Sequence, residues 1–252
     1  VIDALYREIK EELNIVPINP KFMGIYSGKE IYNGSGKSSF GQGVHGISVG
    51  DVDLDGFDEI VMGSATIDHN GKLLCSTGLG HGDAIHLADL CPDRPGLEIM
   101  MPHEENPYGY DVHDAATGEL IVSATSSGDN GRGIAGDFYP KHKGSEFWSS
   151  ANSMLACDGA SGIPAKKGDT NFRIYWTRDP FDQTFDGHYN KDTFKSAPTI
   201  GIWNGSSFST FQSFDSHGDP ESCNTTKATP CLQADLFGDW REELIMYQYE
   251  SD

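Results

Sequence analysis

Short apolar runs alternate with turn-forming residues along most of the chain. In GISVGD, AIHLAD and FRIYWT the apolar residues recur at every second position, the period of a strand. Asp or Asn beside Gly separates such runs in DHNGKLL (68–74), DAATGELI (114–121), CDGASGIP (157–164) and WNGSSFST (203–210), which is hairpin-turn chemistry. A helical period stands out near the start, where IDALYREIKEEL (2–13) places Ile2, Leu5, Ile9 and Leu13 on one face.

The strands are organised by a repeat. Four segments share a small residue, an Asp, a turn, and a Glu before an apolar strand: GDVDLDGFDEIVMG, ADLCPDRPGLEIMM, GDFYPKHKGSEFWS and ADLFGDWREELIMY. Their leading acids, Asp51, Asp89, Asp137 and Asp235, are 38, 48 and 98 residues apart. The last interval is two periods, with a degenerate copy near NFRIYWTRDPFDQTFDG (171–187). Two hairpins per period is the arithmetic of a β-propeller blade. We expect an all-β fold with blades over 43–79, 80–126, 131–167, 171–213 and 229–252. Residues 40–252 form the partial propeller and residues 1–39 an unassigned segment with the short helix. An open solenoid or a β-sandwich is the competing architecture. The chain opens on Val1, and its last blade stops after two strands, so a portion of a longer ring is expected.

Composition narrows the function. Acids outnumber bases 38 to 18, for a formal charge of −20, which disfavours nucleic acid and anionic membrane surfaces as partners. No apolar run is long enough to span a membrane. The 30 Gly and 12 Pro fit a turn-rich β chain. Five Cys show no CxxC pair, so no zinc framework is visible; Cys223 and Cys231 are near enough in sequence to close a local disulfide loop. Sequons at Asn33, Asn204 and Asn224 point weakly to secretion.

Much of the charge sits in the repeat loops. Asp51, Asp53, Asp55, Asp58 and Glu59 alternate around a Gly turn. Oxygens at every second position of a tight loop converge on one point, which suits Ca²⁺ with its six to eight oxygen ligands. Asp68 with Asn70 offers a second site. The copies at Asp89/Asp93/Glu98, Asp137/Glu146 and Asp235/Asp239/Glu243 carry fewer carboxylates, and Asp239 has Arg241 as an alternative partner. Several Ca²⁺ ions are expected, against the simpler reading of solvated acidic turns.

Three histidines stand at comparable places beside Gly or Glu: His45 in GQGVHGISVGD, His81 in GLGHGDAIHLAD and His103 in MPHEENPYGYDVHD. In a propeller, residues just before successive innermost strands meet at the central channel. Asp83 and Glu104 lie nearby, and Arg132 in DNGRGIAGDF holds the same place in the third blade. His86, His113, His142, His188 and His217 are read as structural or surface residues.

Together GDVDLDGFDEIVMGSATIDHNGKLL, STGLGHGDAIHLADL, DRPGLE, the PHE and YGYDVHDAATGE motifs, GRGIAGD, NFRIYW and ADLFGDWREEL resemble the rhamnogalacturonan lyases of polysaccharide lyase family 11, over residues 40–248. The resemblance implies an eight-bladed β-propeller with many Ca²⁺ ions, of which this chain covers five blades. It implies cleavage of the rhamnose-(1→4)-galacturonate bond of pectic rhamnogalacturonan I by β-elimination. His45, His81, Asp83, His103 and Arg132 match the family's cleft residues. CNTTKATP matches a substrate-binding Asn-Gly-Thr followed by Lys, here Asn224, Thr225, Thr226 and Lys227, with Thr225 replacing the Gly. Gly reaches backbone conformations that Thr resists.

Elimination across C4–C5 of a uronate removes a weakly acidic proton beside a carboxylate, and Arg or Ca²⁺ can offset the developing charge. A neutral His suits the base. His81 or His103 takes that role in this reading, with His45 orienting or binding metal, Asp83 and Glu104 holding Ca²⁺, and Arg132 binding the uronate. The expectation is a secreted monomer acting on pectic polysaccharide. The alternatives are a non-catalytic Ca²⁺ propeller for carbohydrate binding or adhesion, and a hydrolase with paired carboxylates.

Overall fold

The computed structural model describes residues 46–190, 195–214, 220–224 and 228–248, with single positions at 10 and 16. The helix expected over 2–13 and the rest of the 1–39 segment fall outside these residues apart from those two positions; so do His45, Thr225, Thr226 and Lys227. From residue 46 onward the regular structure is β. No helix among the described residues is long and apolar enough to cross a membrane.

The strands form antiparallel sheets in chain order. The first holds β1 (Ser48–Gly50), β2 (Glu59–Val61), β3 (Ala65–Ile67) and β4 (Leu73–Ser76). The second holds β5 (His86–Ala88), β6 (Glu98–His103), β7 (Gly109–Asp114) and β8 (Leu120–Thr125). The third has three strands, β9 (Gly133–Gly136), β10 (Glu146–Ser149) and β11 (Leu155–Ala156). The fourth holds β12 (Phe172–Ile174), β13 (Gln183–Asn190), β14 (Lys195–Trp203) and β15 (Phe208–Ser213). Two short pairs follow: β17 (Leu232–Ala234) with β18 (Glu243–Ile245), and β16 (Pro220–Glu221) with β19 (Tyr247–Gln248). Apart from the β16–β19 pair, which flanks β17 and β18 in the chain, the sheets are meanders with neighbouring strands adjacent, and among the described residues none closes on itself.

The turns follow the chemistry read from sequence. Gly71, Gly118, Gly159 and Gly205, one in each expected hairpin, have φ of 82°, 72°, 88° and 97°. That left-handed region is open to Gly and resisted by other residues.

Four apolar cores lie between successive sheets. Val52, Val61, Ile99 and Met101 fill the first, and Met100, Tyr110, Val112, Ala135 and Phe147 the second. Ile134, Phe138, Trp148 and Met154 fill the third, and Ile174, Phe185 and Ile200 the fourth, with Leu244 packed against it. Strand β6 shows why its sequence does not alternate. All six of its residues are buried, Ile99 and Met101 toward the first sheet and Met100 toward the third. A strand covered on both faces reads as a continuous apolar run.

The cysteines pair differently from the sequence expectation. Cys91, after β5, is bonded to Cys157, after β11, across 66 residues. The bridge joins two sheets that packing makes neighbours, a juxtaposition invisible in local spacing. Cys223 and Cys231 are unbonded, with sulfurs 3.3 Å apart.

One device recurs in all five units. The residue opening the second strand turns its side chain back onto the loop before it. Glu59 Oε2 accepts the Val52 N–H at 3.0 Å. Glu98 Oε2 accepts Leu90 and Cys91 at 2.9 and 3.0 Å. Glu146 Oε2 accepts Phe138 and Tyr139 at 2.9 and 2.8 Å. Glu243 Oε2 accepts Leu236 and Phe237 at 2.8 and 3.3 Å. In the degenerate copy Gln183 Oε1 does the same for Trp176 and Thr177 at 2.8 and 2.9 Å. Buried amides need such an acceptor. The closing acids read from sequence as metal ligands are therefore first of all loop caps, one oxygen each committed to backbone.

A substitution pair tests the cap. Glu146→Ala leaves two amides without their acceptor, and at about 1–3 kcal/mol each the loss is roughly 2–6 kcal/mol. Glu146→Gln, the residue the chain itself uses at Gln183, retains most of the stability in metal-free buffer. Urea unfolding with chelator measures both; equal losses would contradict the capping role.

Candidate functional site

The leading ends of the first strands converge on one open cavity of about 1080 Å³. Gly46–Ser48 before and in β1, Asp83–His86 at β5, Gly131 and Arg132 before β9, and Thr170–Arg173 at β12 line it, with Asn224, Thr229 and Gln233 from the last unit. Asp83, Arg132 and Arg173 are its charged side chains, so two guanidiniums face one carboxylate in a chain of net charge −20.

At one edge stand His81, Asp83 and Glu104. His81 Nε2 lies 3.3 Å from Glu104 Oε2 and 3.7 Å from Asp83 Oδ1, and the ligand atoms of the three come within 4.8 Å of one another. Backbone fixes the arrangement: Glu104 N donates to His81 O at 3.0 Å, and Asn130 N to His103 O at 3.1 Å. Gly82 is required, since a Cβ there would sit 1.9 Å from Pro102 O. Gly131 faces the carboxylates, for a Cβ there would lie 2.7 Å from Glu104 Oε1 and 3.4 Å from Asp83 Oδ2. Both carboxylates thus point at the Gly131–Arg132 backbone.

His103 is placed differently from the sequence expectation. It is buried on β6, its Nε2 2.8 Å from Asp111 Oδ1, while Asp111 Oδ2 is 2.6 Å from His113 Nδ1. His103 and Asp111 line a separate cavity of about 150 Å³, and His103 is not among the residues lining the larger one. Partial positive charge on the two imidazoles and their hydrogen bonds hold the Asp111 carboxyl below the usual range despite burial, which alone would raise it.

Two residues overlooked in the sequence belong to the cavity. His86 Nε2 lies 2.9 Å from Gly133 O, and loss of water pushes its pKa down to about 4, so the ring is neutral. Arg173 donates to Asp182 Oδ1 at 3.1 Å and lies over the Tyr175 ring at 5.1 Å. His86 opens β5 and Arg173 is the second residue of β12, so both sit near the start of a sheet's first strand, as Arg132 does just before β9.

The acidic loops divide. Asp51, Asp53 and Glu59 form one group with ligand atoms within 4.8 Å of each other, and Asp55, Glu59 and His69 a second. His69, missed in sequence, has Nδ1 2.8 Å from Asp68 Oδ1 and 3.4 Å from Asp55 Oδ2. Asp51 also accepts the Asp55 and Gly56 amides, each at 3.0 Å. Asp58 is exposed and in neither group. Asn70 donates to Asp68 and accepts the Lys72 amide, so it ties the turn. Asp89 is exposed. Asp235 takes the amides of Gly238, Asp239 and Trp240 at 2.7–3.0 Å, which makes it a turn cap too. Asp239 accepts the Arg241 amide, and the Arg241 guanidinium lies over Trp176 and Trp240 instead.

Beneath the third unit, Asp137 Oδ1, His142 Nδ1 and Glu146 Oε1 are buried without a hydrogen-bond partner, as is Glu98 Oε1 beneath the second. Asp182, another residue the sequence did not flag, accepts the Asp137 amide at 2.9 Å. Burial, reinforced by Asp182, pushes the Asp137 carboxyl up to about 6. Burial, opposed by two amide bonds and aided by Asp137 and Asp182, pushes Glu146 up to about 8. Orphaned oxygens of this kind fit a divalent cation.

These features define the class: an all-β protein whose successive sheets bring imidazole, carboxylate and guanidinium groups to one open cavity above buried acidic loops. A family model described as "Rhamnogalacturonan lyase family 11, C-terminal domain" matches residues 29–252. The chain belongs to rhamnogalacturonan lyase family 11. It is 42% identical over 217 residues to rhamnogalacturonan endolyase YesW of Bacillus subtilis, covering 84% of this chain and 33% of YesW. It is 42% identical over 221 residues to rhamnogalacturonan exolyase YesX of the same organism, covering 81% of this chain and 35% of YesX. The crystal structure of the exotype lyase YesX superposes with a TM-score of 0.77 at 39% identity, over 86% of this chain and 37% of that one. The chain thus spans about a third of the length of these relatives.

The raised carboxyls give a pH signature. A carboxyl raised in the folded state binds more protons there than when unfolded, so its contribution to stability is full below the ordinary value near 4.5 and is lost as pH rises. Chelator-treated protein therefore loses stability between pH 4.5 and about 8, and Glu146→Gln flattens that loss. Thermal melts across this range check it; an unchanged slope in the variant would contradict it.

Proposed function

We propose that this chain supplies the catalytic cleft of a rhamnogalacturonan lyase that cleaves the rhamnose-(1→4)-galacturonate bond by β-elimination. The observation that carries the reading is that Asp83, grouped with His81 and Glu104, lines the same cavity as Arg132. Kinship to lyases named for this substrate supports it.

In this mechanism the galacturonate carboxylate binds at Arg132, whose guanidinium suits a carboxylate, while Arg173, paired with Asp182, lines the same cavity. His81 takes the proton from C5. The electron pair forms the C4–C5 double bond, and the C4–O bond breaks with the rhamnose oxygen leaving and gaining a proton. His103 is withdrawn from this role by its burial against Asp111, so the base falls to His81 among the described residues. Neutral His86 and Asn224 shape the polar lining where the sugars lie.

Ca²⁺ fits the residues present, with Asp83 and Glu104 as ligands beside the substrate and Asp51, Asp53, Asp55, Glu59, His69, Asp137, Glu146 and Glu98 in the loops. At Asp83 and Glu104 the ion would offset negative charge on the uronate as the proton leaves.

The sheets are read as blades of a β-propeller. Their meander order, their face-to-face packing and the meeting of the first strands at one cavity support this. So do apolar side chains left open on the end sheets, among them Val49 on β1 and Leu232 and Ile245 on β17 and β18. A secreted monomer fits the Cys91–Cys157 disulfide and a polymeric substrate.

The test follows formation of the unsaturated uronate by ultraviolet absorbance, on rhamnogalacturonan, in the intact enzyme. His81→Ala lowers kcat by about 10²–10⁴-fold, and Arg132→Ala by about 10²–10³-fold. EDTA abolishes the activity and added Ca²⁺ restores it. Unchanged product formation in both variants would overturn the assignment, and activity indifferent to EDTA would remove the metal from it.

A further inference from the structure

Two exposed cysteines bracket the segment that carries Asn224 and Thr229 to the cavity. Cys223 Sγ and Cys231 Sγ are 3.3 Å apart. A formed bond is about 2.0 Å, so closure takes little more than about an ångström of side-chain motion. Backbone already holds the two residues in facing positions. Cys223 N donates to Thr229 O at 2.7 Å, Asn224 and Thr229 form an antiparallel bridge, and Cys231 N donates to Ile245 O at 2.8 Å. No other thiol competes. Cys91 and Cys157 are bonded to each other, and Cys75 is partly buried in β4, its sulfur 3.4 Å from Ala115 O.

We propose that Cys223 and Cys231 form a second, reversible disulfide beside Asn224 and Thr229, fixing these two residues where they line the cavity. The step is thiol–disulfide exchange with a small-molecule disulfide such as oxidised glutathione. One cysteine thiolate attacks a glutathione sulfur, giving a mixed disulfide and one reduced glutathione. The second cysteine displaces the other glutathione as its thiol. The protein loses two S–H bonds and gains one S–S bond, and the oxidant leaves as two thiols. Exposure of both sulfurs makes this bridge accessible to the redox poise, whereas Cys91, 2% exposed, is shielded. The consequence for substrate rests on the lyase reading: the disulfide pre-organises one wall of the sugar site, so the oxidised form binds more tightly.

The experiment equilibrates the full chain in glutathione buffers of varied oxidised-to-reduced ratio, traps free thiols with N-ethylmaleimide and maps the peptides by mass spectrometry. The expected result is a Cys223–Cys231 cross-linked peptide that comes and goes with the ratio, while Cys75 is alkylated throughout. Alkylation of both Cys223 and Cys231 at every ratio, or their capture only as glutathione adducts, overturns the proposal. Calorimetry with a rhamnogalacturonan oligosaccharide then compares the two forms. A lower Kd in the oxidised form, lost in the Cys223→Ser/Cys231→Ser double variant, supports the link to the cavity; equal Kd values with the cross-link present overturn that link. An oligosaccharide that binds neither form counts against the lyase reading, while the cross-linked peptide still decides the disulfide.

Discussion

The structure depends on buried amides finding acceptors where the chain leaves one strand and has not yet begun the next. In the first three units a Glu, and in the degenerate copy Gln183, opens the second strand and reaches back to take those amides, and Glu243 does the same for exposed amides in the last unit. The acceptor must be long enough to span the loop and must stand at the strand's first residue. That requirement sets the length of the acidic loop and the direction in which the first strand approaches. Since the leading ends of those strands line the cavity, the caps indirectly place Asp83, Arg132 and Arg173 there.

Carboxylate caps carry an electrostatic consequence that the amide cap lacks. A Glu that gives one oxygen to backbone keeps a second oxygen in the interior; at Glu98 and Glu146 that oxygen accepts no hydrogen bond, and at Glu146 it lies 3.5 Å from His142 Nδ1. Gln183 has an NH₂ in its place, which donates to Phe181 O. The same scaffold position is thus a potential cation ligand in some units and a closed hydrogen-bond network in another. Much of the acidity of the chain lies in these loops and in the Asp51–Glu59 turn, while Asp182 pairs with Arg173 and Asp83 shares the cavity lining with Arg132. Arg132 and Arg173 line the cavity with Asp83 as the one carboxylate, so its lining does not share the strong acidity of the chain as a whole.

Legibility in the sequence followed the range of the interactions. The Asp/Asn-Gly turns and the strand order are local, and the structure has them where the pattern put them, with left-handed Gly71, Gly118, Gly159 and Gly205 at the tips. The meeting of His81, Asp83, Glu104 and Arg132 was legible because a repeat turns equal sequence register into nearby position. The same register held Arg173, which sat in a degenerate copy and so drew no attention. Burial was not legible: His103 and His81 have similar sequence surroundings, yet a partner across the β6–β7 hairpin, Asp111, takes one of them into the interior. The Cys91–Cys157 bridge was hidden for the same reason, since it reports the packing of two sheets and not spacing along the chain.

The central claim is that a galacturonate lies between Arg132 and the His81–Asp83–Glu104 group with its C5 facing His81. A crystal structure of the intact His81→Ala enzyme soaked with Ca²⁺ and an alternating rhamnose–galacturonate oligosaccharide tests it most directly. The account predicts the uronate carboxylate on Arg132, a cation held by Asp83 and Glu104, and C5 directed at the space left by the imidazole. An oligosaccharide bound elsewhere on the protein, or one in this cavity with C5 turned away from residue 81, would contradict it.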